Sequence, residues 1–257
     1  MAGRTAARGA GQRARTTYRR RRRRRRRGWI PVLLTALVLA AGFWLWRANT
    51  GGYRVALDAG HGGDDPGAMG LIAETELTET TARYLEELLR ADENYTVLLC
   101  RDYGEGASSG ERGRRAARRG AQLLLSIHGN SSEDGTARGF ECYPQLAASE
   151  THADSLRFAQ LIADGMAGAG APLRGDGGIR YASYDEAGVK QIGEEADAAG
   201  TTFGVLEQAG CPAVLAEQCF VTNAEDVAAF AGEEGCRRAA EVYYRAICRY
   251  FGTQLMI

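Results

Sequence analysis

From Tyr53 onward, short apolar runs alternate with longer amphipathic ones, and that alternation constrains the fold more than any other feature. Tyr53 to Leu57, Thr96 to Arg101, Leu123 to Ile127, Gly139 to Tyr143 and Ala213 to Ala216 read as strands. Glu76 to Arg90, Ser108 to Arg119, Ser155 to Met166 and Glu233 to Tyr250 carry apolar faces at helical spacing. Asn223, with Glu225 and Asp226 behind it, opens a shorter helix as a capping side chain with acids in the first turn. Strands that alternate with helices predict a single α/β domain, with a twisted, mostly parallel sheet and helices on both faces. No internal repeat is visible.

The strand ends carry the residues with chemistry. The chain has only three histidines. His61 lies in Asp58-Ala59-Gly60-His61-Gly62-Gly63, and His128 in Ser126-Ile127-His128-Gly129-Asn130, each just after an apolar run. Glu74 follows the first segment, and Glu217 ends Val214-Leu215-Ala216-Glu217. Neutral imidazoles and a carboxylate at strand ends are how a zinc hydrolase builds three protein ligands and an open position. A lone histidine after a strand is more often a satisfied structural residue. Two of them in glycine-containing motifs, with both glutamates in order, favour the metal reading. Glu217 is a carboxylate at a buried strand end, costly unless paired or working. His152, at a helix start and in no metal-like spacing, is expected to cap or face solvent.

Four such segments in this order resemble the zinc-dependent N-acetylmuramoyl-L-alanine amidases of the type 3 family. Asp58 to Ala68 is similar to the family's opening motif, with Ala59 where proline is usual. Glu74 with Glu76-Leu77 resembles its Glu-Lys segment, although Thr75 replaces the lysine. Arg101-Asp102 and Glu111-Arg112 precede the His128 segment in matching order, and Gly129 stands where alanine is common. Cys211 to Glu217, with Phe220 and Asn223, resembles the last motif. The resemblance runs from about Tyr53 to Phe251. It implies a catalytic domain over 53–252 that cuts the amide between N-acetylmuramic acid and the first L-alanine of the peptidoglycan stem peptide. It further implies Zn2+ held by His61, Glu74 and His128, and Glu217 as the catalytic acid and base. Three residues have roles left open. Asp58 either accepts the free ring N–H of a ligand histidine or caps a turn. Asn130 holds substrate or fixes the His128 loop. Arg101 belongs to the site or simply pairs with Asp102 or Glu111. A catalytically silent wall-binding or regulatory module, and a zinc amidohydrolase or carboxypeptidase acting on another bond, are the alternatives.

The formal net charge of zero conceals a division. The first fifty residues hold fourteen of the 32 basic side chains and no acid, which leaves 18 against 32 acidic ones, about −14, for the rest. Residues 1–27 are low in complexity and end in nine consecutive arginines, Arg19 to Arg27; they read as a disordered cytoplasmic tail. Residues 28–46 carry no charge, with Trp29 at one end and Trp44 and Trp46 at the other, and read as one transmembrane signal anchor. Residues 47–52 form a linker. The arginine flank predicts a bacterial membrane protein with its N-terminus in the cytoplasm and its domain on the cell-wall side. A cleaved signal peptide is the rival reading, but its cleavage site would fall near Ala40-Ala41, inside the apolar run. The arginines also suit anionic lipid; so close to a span, that explanation is better than a nucleic-acid arm. No wall-binding module is expected after the last helix.

Six cysteines in an exported domain permit disulfides or buried free thiols, and no Cys-x-x-Cys spacing suggests zinc ligation. About twenty residues, 181–202, depart from the shorter family pattern and hold five acids. Divisome members of the family carry an insert here that covers the zinc site until an activator protein binds, so 181–202 is read either as a lid or as a solvated surface helix, which acidic stretches usually are. Ser183 and Asp185 are expected to cap a helix within it.

Overall fold

The computed structural model describes residues 35–39, 42, 51–198 and 200–256. The chain divides into two units, Met1–Gly51 and Gly52–Ile257. In the first, residues 35–39 and 42 are helical and exposed. The expected 1–27 tail and the rest of the expected 28–46 anchor lie outside the described residues, and among the described residues no helix is long and apolar enough to cross a membrane.

The second unit is a single α/β domain. Its elements run β1 (Tyr53–Ala59), α1 (Glu74–Ala91), β2 (Tyr95–Leu99), α2 (Ser109–Arg118), β3 (Leu123–Asn130), β4 (Glu141–Pro144), α3 (His152–Gly168), β5 (Tyr181–Tyr184), β6 (Lys190–Gly193), α4 (Gly204–Glu207), β7 (Ala213–Phe220), α5 (Ala224–Phe230) and α6 (Glu233–Phe251). The sheet order is β2-β1-β3-β7-β4. The first four strands are parallel, and β4 closes the edge antiparallel to β7. Helices cover both faces, so the inner strands are apolar on both sides. Leu57, Leu125, Ile127 and Val214 join a core with Leu77, Leu85, Phe158, Tyr243 and Ile247. On the other face Ala56, Leu124 and Leu215 meet Ala116, Val205 and Leu206.

The helix ends follow from their residues. Ser108 accepts from the Glu111 N–H at the start of α2. Asn223 accepts from the Glu225 and Asp226 N–H groups at the start of α5, as its position predicts. Gly252 takes φ 72° and ends α6. All six cysteines are buried and free.

The 181–202 segment differs from expectation. In place of a helix capped by Ser183 or Asp185 it forms the β5–β6 hairpin, with Tyr181 opposite Gly193 and Tyr184 opposite Lys190. Asp185 Oδ1 accepts from the Ala187 and Val189 N–H groups at 3.0 and 2.8 Å. An aspartate that can start a helix can equally close a turn on itself. Gly188, at φ 76°, supplies the left-handed residue that selects the turn.

Candidate metal centre

The site begins where β1 runs out. His61 takes φ 58°, a conformation unusual for a residue with a Cβ, and Gly62 and Gly63 continue the turn at positive φ. Two arginines hold this loop. Arg101 donates to the Ala59 and Gly60 carbonyls at 2.9 and 3.2 Å, and Arg112 to Ala59 at 3.3 Å. Gly60 is required for a further reason: a Cβ there would run into the His128 ring. The turn thus folds back over the end of β3 and brings the two histidines together, with ring centroids 5.0 Å apart.

Glu74 is the first residue of α1, where the partial positive charge of a helix N-terminus favours a carboxylate. Its Oε1 lies 3.2 Å from His61 Nε2 and 2.9 Å from His128 Nδ1. The Gly129 N–H donates to the same oxygen, and the Ala68 N–H to Oε2. One donor atom from each of His61, Glu74 and His128 falls within a 4.8 Å cluster. Tetrahedral zinc ligands about 2.0–2.2 Å from the metal stand roughly 3.5 Å apart. Two imidazoles and a carboxylate at 2.9 and 3.2 Å are within a small side-chain adjustment of that. The donor set therefore fits a divalent cation of the zinc type.

The electrostatics favour the ligand forms at two of the three residues. Hydrogen bonding to Glu74 raises the His61 pKa to about 9 against the effect of burial, with Asp65 adding to the rise. Burial alone would raise the Glu74 pKa, but hydrogen bonds from His128 and His61 outweigh it and hold the carboxyl well below its usual range. Burial lowers the His128 pKa. Glu74 kept charged and His128 kept neutral are the protonation states a cation needs, whereas His61 has to release its proton as a cation binds.

Glu217 stands beside this cluster. It is in register with His128 on β3 and with Glu141 on β4. Its Oε2 is buried without a hydrogen-bond partner. Burial, then the nearby Glu74 carboxylate, push its pKa up to about 8, while the Lys190 ammonium opposes the rise. Lys190 comes from the hairpin, stacked 4.7 Å over the Phe203 ring.

The residues singled out in the sequence therefore fall into two groups. His61, Glu74 and His128 converge, and Glu217 adjoins them. Asp58 does not reach a histidine: its Oδ2 is held at 2.6 Å by both Arg112 and Ser126, on the strand face behind the loop. The partner of the His61 ring is instead Asp65, with Oδ2 2.8 Å from Nδ1, four residues on across the glycine turn. Arg101 pairs with Glu79 at 2.8 Å rather than with the Asp102 or Glu111 side chains, and serves as a clamp on the loop. Asn130 donates to Glu141 at 2.7 Å. His152 is half-buried, with Nδ1 2.7 Å from the Gln145 carbonyl oxygen, and it lies outside the cluster. Sequence reasoning missed Asp65, Glu141 and Lys190. Asp65 could have been found from its i+4 spacing to His61; the other two depend on how β4 and the hairpin dock.

A mostly parallel α/β sheet with two histidines at its strand ends, and a glutamate at the start of the helix that follows the first of them, defines a metal-centre domain of the hydrolase type. Within that class the chain belongs to the N-acetylmuramoyl-L-alanine amidase family, whose family model matches residues 55–249. The sporulation-specific N-acetylmuramoyl-L-alanine amidase of Bacillus subtilis (strain 168) is 29% identical over 177 residues, 67% of this chain and 58% of that protein. The endolysin of Bacillus phage SPP1 is 28% identical over 175 residues, 68% of this chain and 57% of that protein. The chain thus spans under two thirds of the length of these relatives. The catalytic domain of CwlV, an N-acetylmuramoyl-L-alanine amidase from Bacillus (Paenibacillus) polymyxa var. colistinus, superimposes with a TM-score of 0.64 at 27% identity, covering 79% of this chain and 99% of that one.

Proposed function

We propose that the chain hydrolyses the amide between N-acetylmuramic acid and L-alanine in peptidoglycan, with zinc held by His61, Glu74 and His128. The observation that carries this reading is the meeting of both histidines on Glu74 Oε1, with the unpartnered carboxylate of Glu217 one strand away. Zinc bound there would supply Lewis acidity, polarising the lactyl carbonyl and acidifying a water. Glu217 takes the proton of the attacking water at Oε2 and returns it to the departing alanine nitrogen. A carboxyl whose pKa is raised to about 8 can both accept and release a proton near neutrality. The Arg101 and Arg112 clamps keep His61 in place through the backbone rather than touching the reacting atoms.

Family membership and the 28–46 segment also support a wall-side location: an arginine flank ahead of an uncharged, tryptophan-bounded run orients the 53–252 domain outward. An activator acting on the 181–202 hairpin and anionic lipid for the 1–27 tail belong to the same reading. The test is mass spectrometry of purified peptidoglycan digested with the zinc-loaded protein. New N-terminal L-alanine and free lactyl carboxylates are expected. A different new amine terminus would point to another bond, and no new terminus at all to a silent module.

A further inference from the structure

The row of side chains at the sheet edge does not stop at Glu217. His128, Glu217 and Glu141 stand in register on β3, β7 and β4. Registered residues share a face, and strands are about 4.8 Å apart, so Glu141 lies roughly 10 Å from His128 on the same face. Glu141 is 1% exposed. It accepts from Tyr143 Oη at 2.6 Å, Asn130 Nδ2 at 2.7 Å, Arg174 Nε at 2.9 Å and Arg180 Nη1 at 3.2 Å. One carboxylate thus meets two guanidinium groups, which leaves a positive charge over.

The surplus is presented outward. The Arg174 and Arg180 side chains are 33% and 24% exposed. Among the described residues, the Nη2 atom of neither arginine makes a hydrogen bond, and Arg180 Nε is buried without a partner. Arg174 lies 4.8 Å over the Phe220 ring, which fixes the plane of its fork. A rigid guanidinium pair with unused N–H groups has the shape that carboxylates bind through two parallel hydrogen bonds.

We propose that Arg174 and Arg180 form a subsite for a free carboxylate of the stem peptide, carried on the residue after the alanine; this rests on the amidase reading above. The reach is right. A peptide spans at most about 3.3–3.6 Å per residue, so a carboxylate on the second residue stands roughly 7 Å from the departing nitrogen. One strand spacing, about 4.8 Å, separates the Glu217 position from Glu141, and the arginines that Glu141 holds lie one hydrogen bond further on. The ligand class is an acidic peptide with its second-residue carboxylate unamidated.

The test uses two muropeptides that differ only in whether that carboxylate is free or amidated. The zinc-loaded protein should show a lower KM for the free acid. Arg174→Gln and Arg180→Gln should each raise that KM roughly tenfold to hundredfold. The KM for the amidated substrate should change much less than that for the free acid, and Arg174→Lys should recover part of the loss. Calorimetry of the product dipeptides gives a readout that needs no turnover: the free acid should bind and the amide should not, with the difference gone in Arg174→Gln. Equal effects on both substrates, or loss of thermal stability alone, would overturn the proposal and leave the arginines as counter-charges for Glu141. If neither muropeptide is cut, the amidase reading fails, while the calorimetric arm still decides the subsite.

Discussion

One oxygen, Glu74 Oε1, meets both imidazoles and a backbone N–H, while Oε2 of Glu217 meets nothing. The two glutamates therefore have opposite protonation tendencies, and opposite consequences follow from removing them. Glu217→Gln takes away a proton acceptor and no ligand. It should lower kcat by at least the 10²–10⁴-fold typical of general acid–base catalysis, about 3–5 kcal/mol in barrier, while metal analysis still finds the site loaded. Glu74→Gln should lose metal and activity together. Loss of metal from Glu217→Gln would transfer that residue to the ligand set and sink its assignment as the proton carrier.

At the scale of elements, the sequence was most informative where an apolar run ends at a chemical residue. His61, His128 and Glu217 stood out for that reason, whereas Glu74 was reached through the family resemblance and the Asn223 cap through the acids that follow it. The strands β3 and β7 run past the apolar runs that announced them, to Asn130 and Phe220, because registered pairing continues after hydrophobicity stops. The hairpin at 181–202 was not legible, since Asp185 suits a helix start and a turn alike. What the hairpin does can be tested through Lys190, whose charge limits the rise of the Glu217 pKa. Removing that cation in Lys190→Ala should raise the Glu217 pKa further. The acidic limb of kcat/KM against pH should then move to higher pH; an unchanged limb would detach the hairpin from the chemistry. The β4 edge makes a separate prediction. Burial works to raise the Glu141 pKa, but hydrogen bonds from Tyr143, Arg174 and Arg180 outweigh it and leave the pKa lowered. A depressed carboxyl contributes stability above its unfolded pKa and loses it as pH falls through the folded one. Glu141→Gln should therefore cost about 3 kcal/mol near neutrality, measured by urea unfolding, with the gap to the unsubstituted protein closing in acid.

For the molecule as a whole, the candidate metal cluster of His61, Glu74 and His128 is built from residues other than the apolar core that holds the sheet together. Leu57, Leu125, Phe158, Tyr243 and Ile247 are fully buried against helices on one face, and none is a donor of the cluster. Glu74 keeps hydrogen bonds from Ala68 and Gly129 whatever else it binds, and Arg101 and Arg112 hold the His61 loop by its carbonyls. Chelation should thus abolish activity without unfolding the domain. Its thermal effect follows from linkage: a ligand present at a hundred times its Kd stabilises the folded state by about 2.7 kcal/mol. For a domain of this size each kcal/mol moves Tm by about 2–4 °C. Removing zinc should therefore lower Tm by roughly 5–10 °C, with near-unchanged far-UV circular dichroism at 25 °C, and adding zinc back should restore both Tm and activity. Collapse of the dichroism on chelation would make the metal a folding element and contradict the separation of core and site. A Tm that ignores both chelator and zinc would mean that His61, Glu74 and His128 hold no metal in solution.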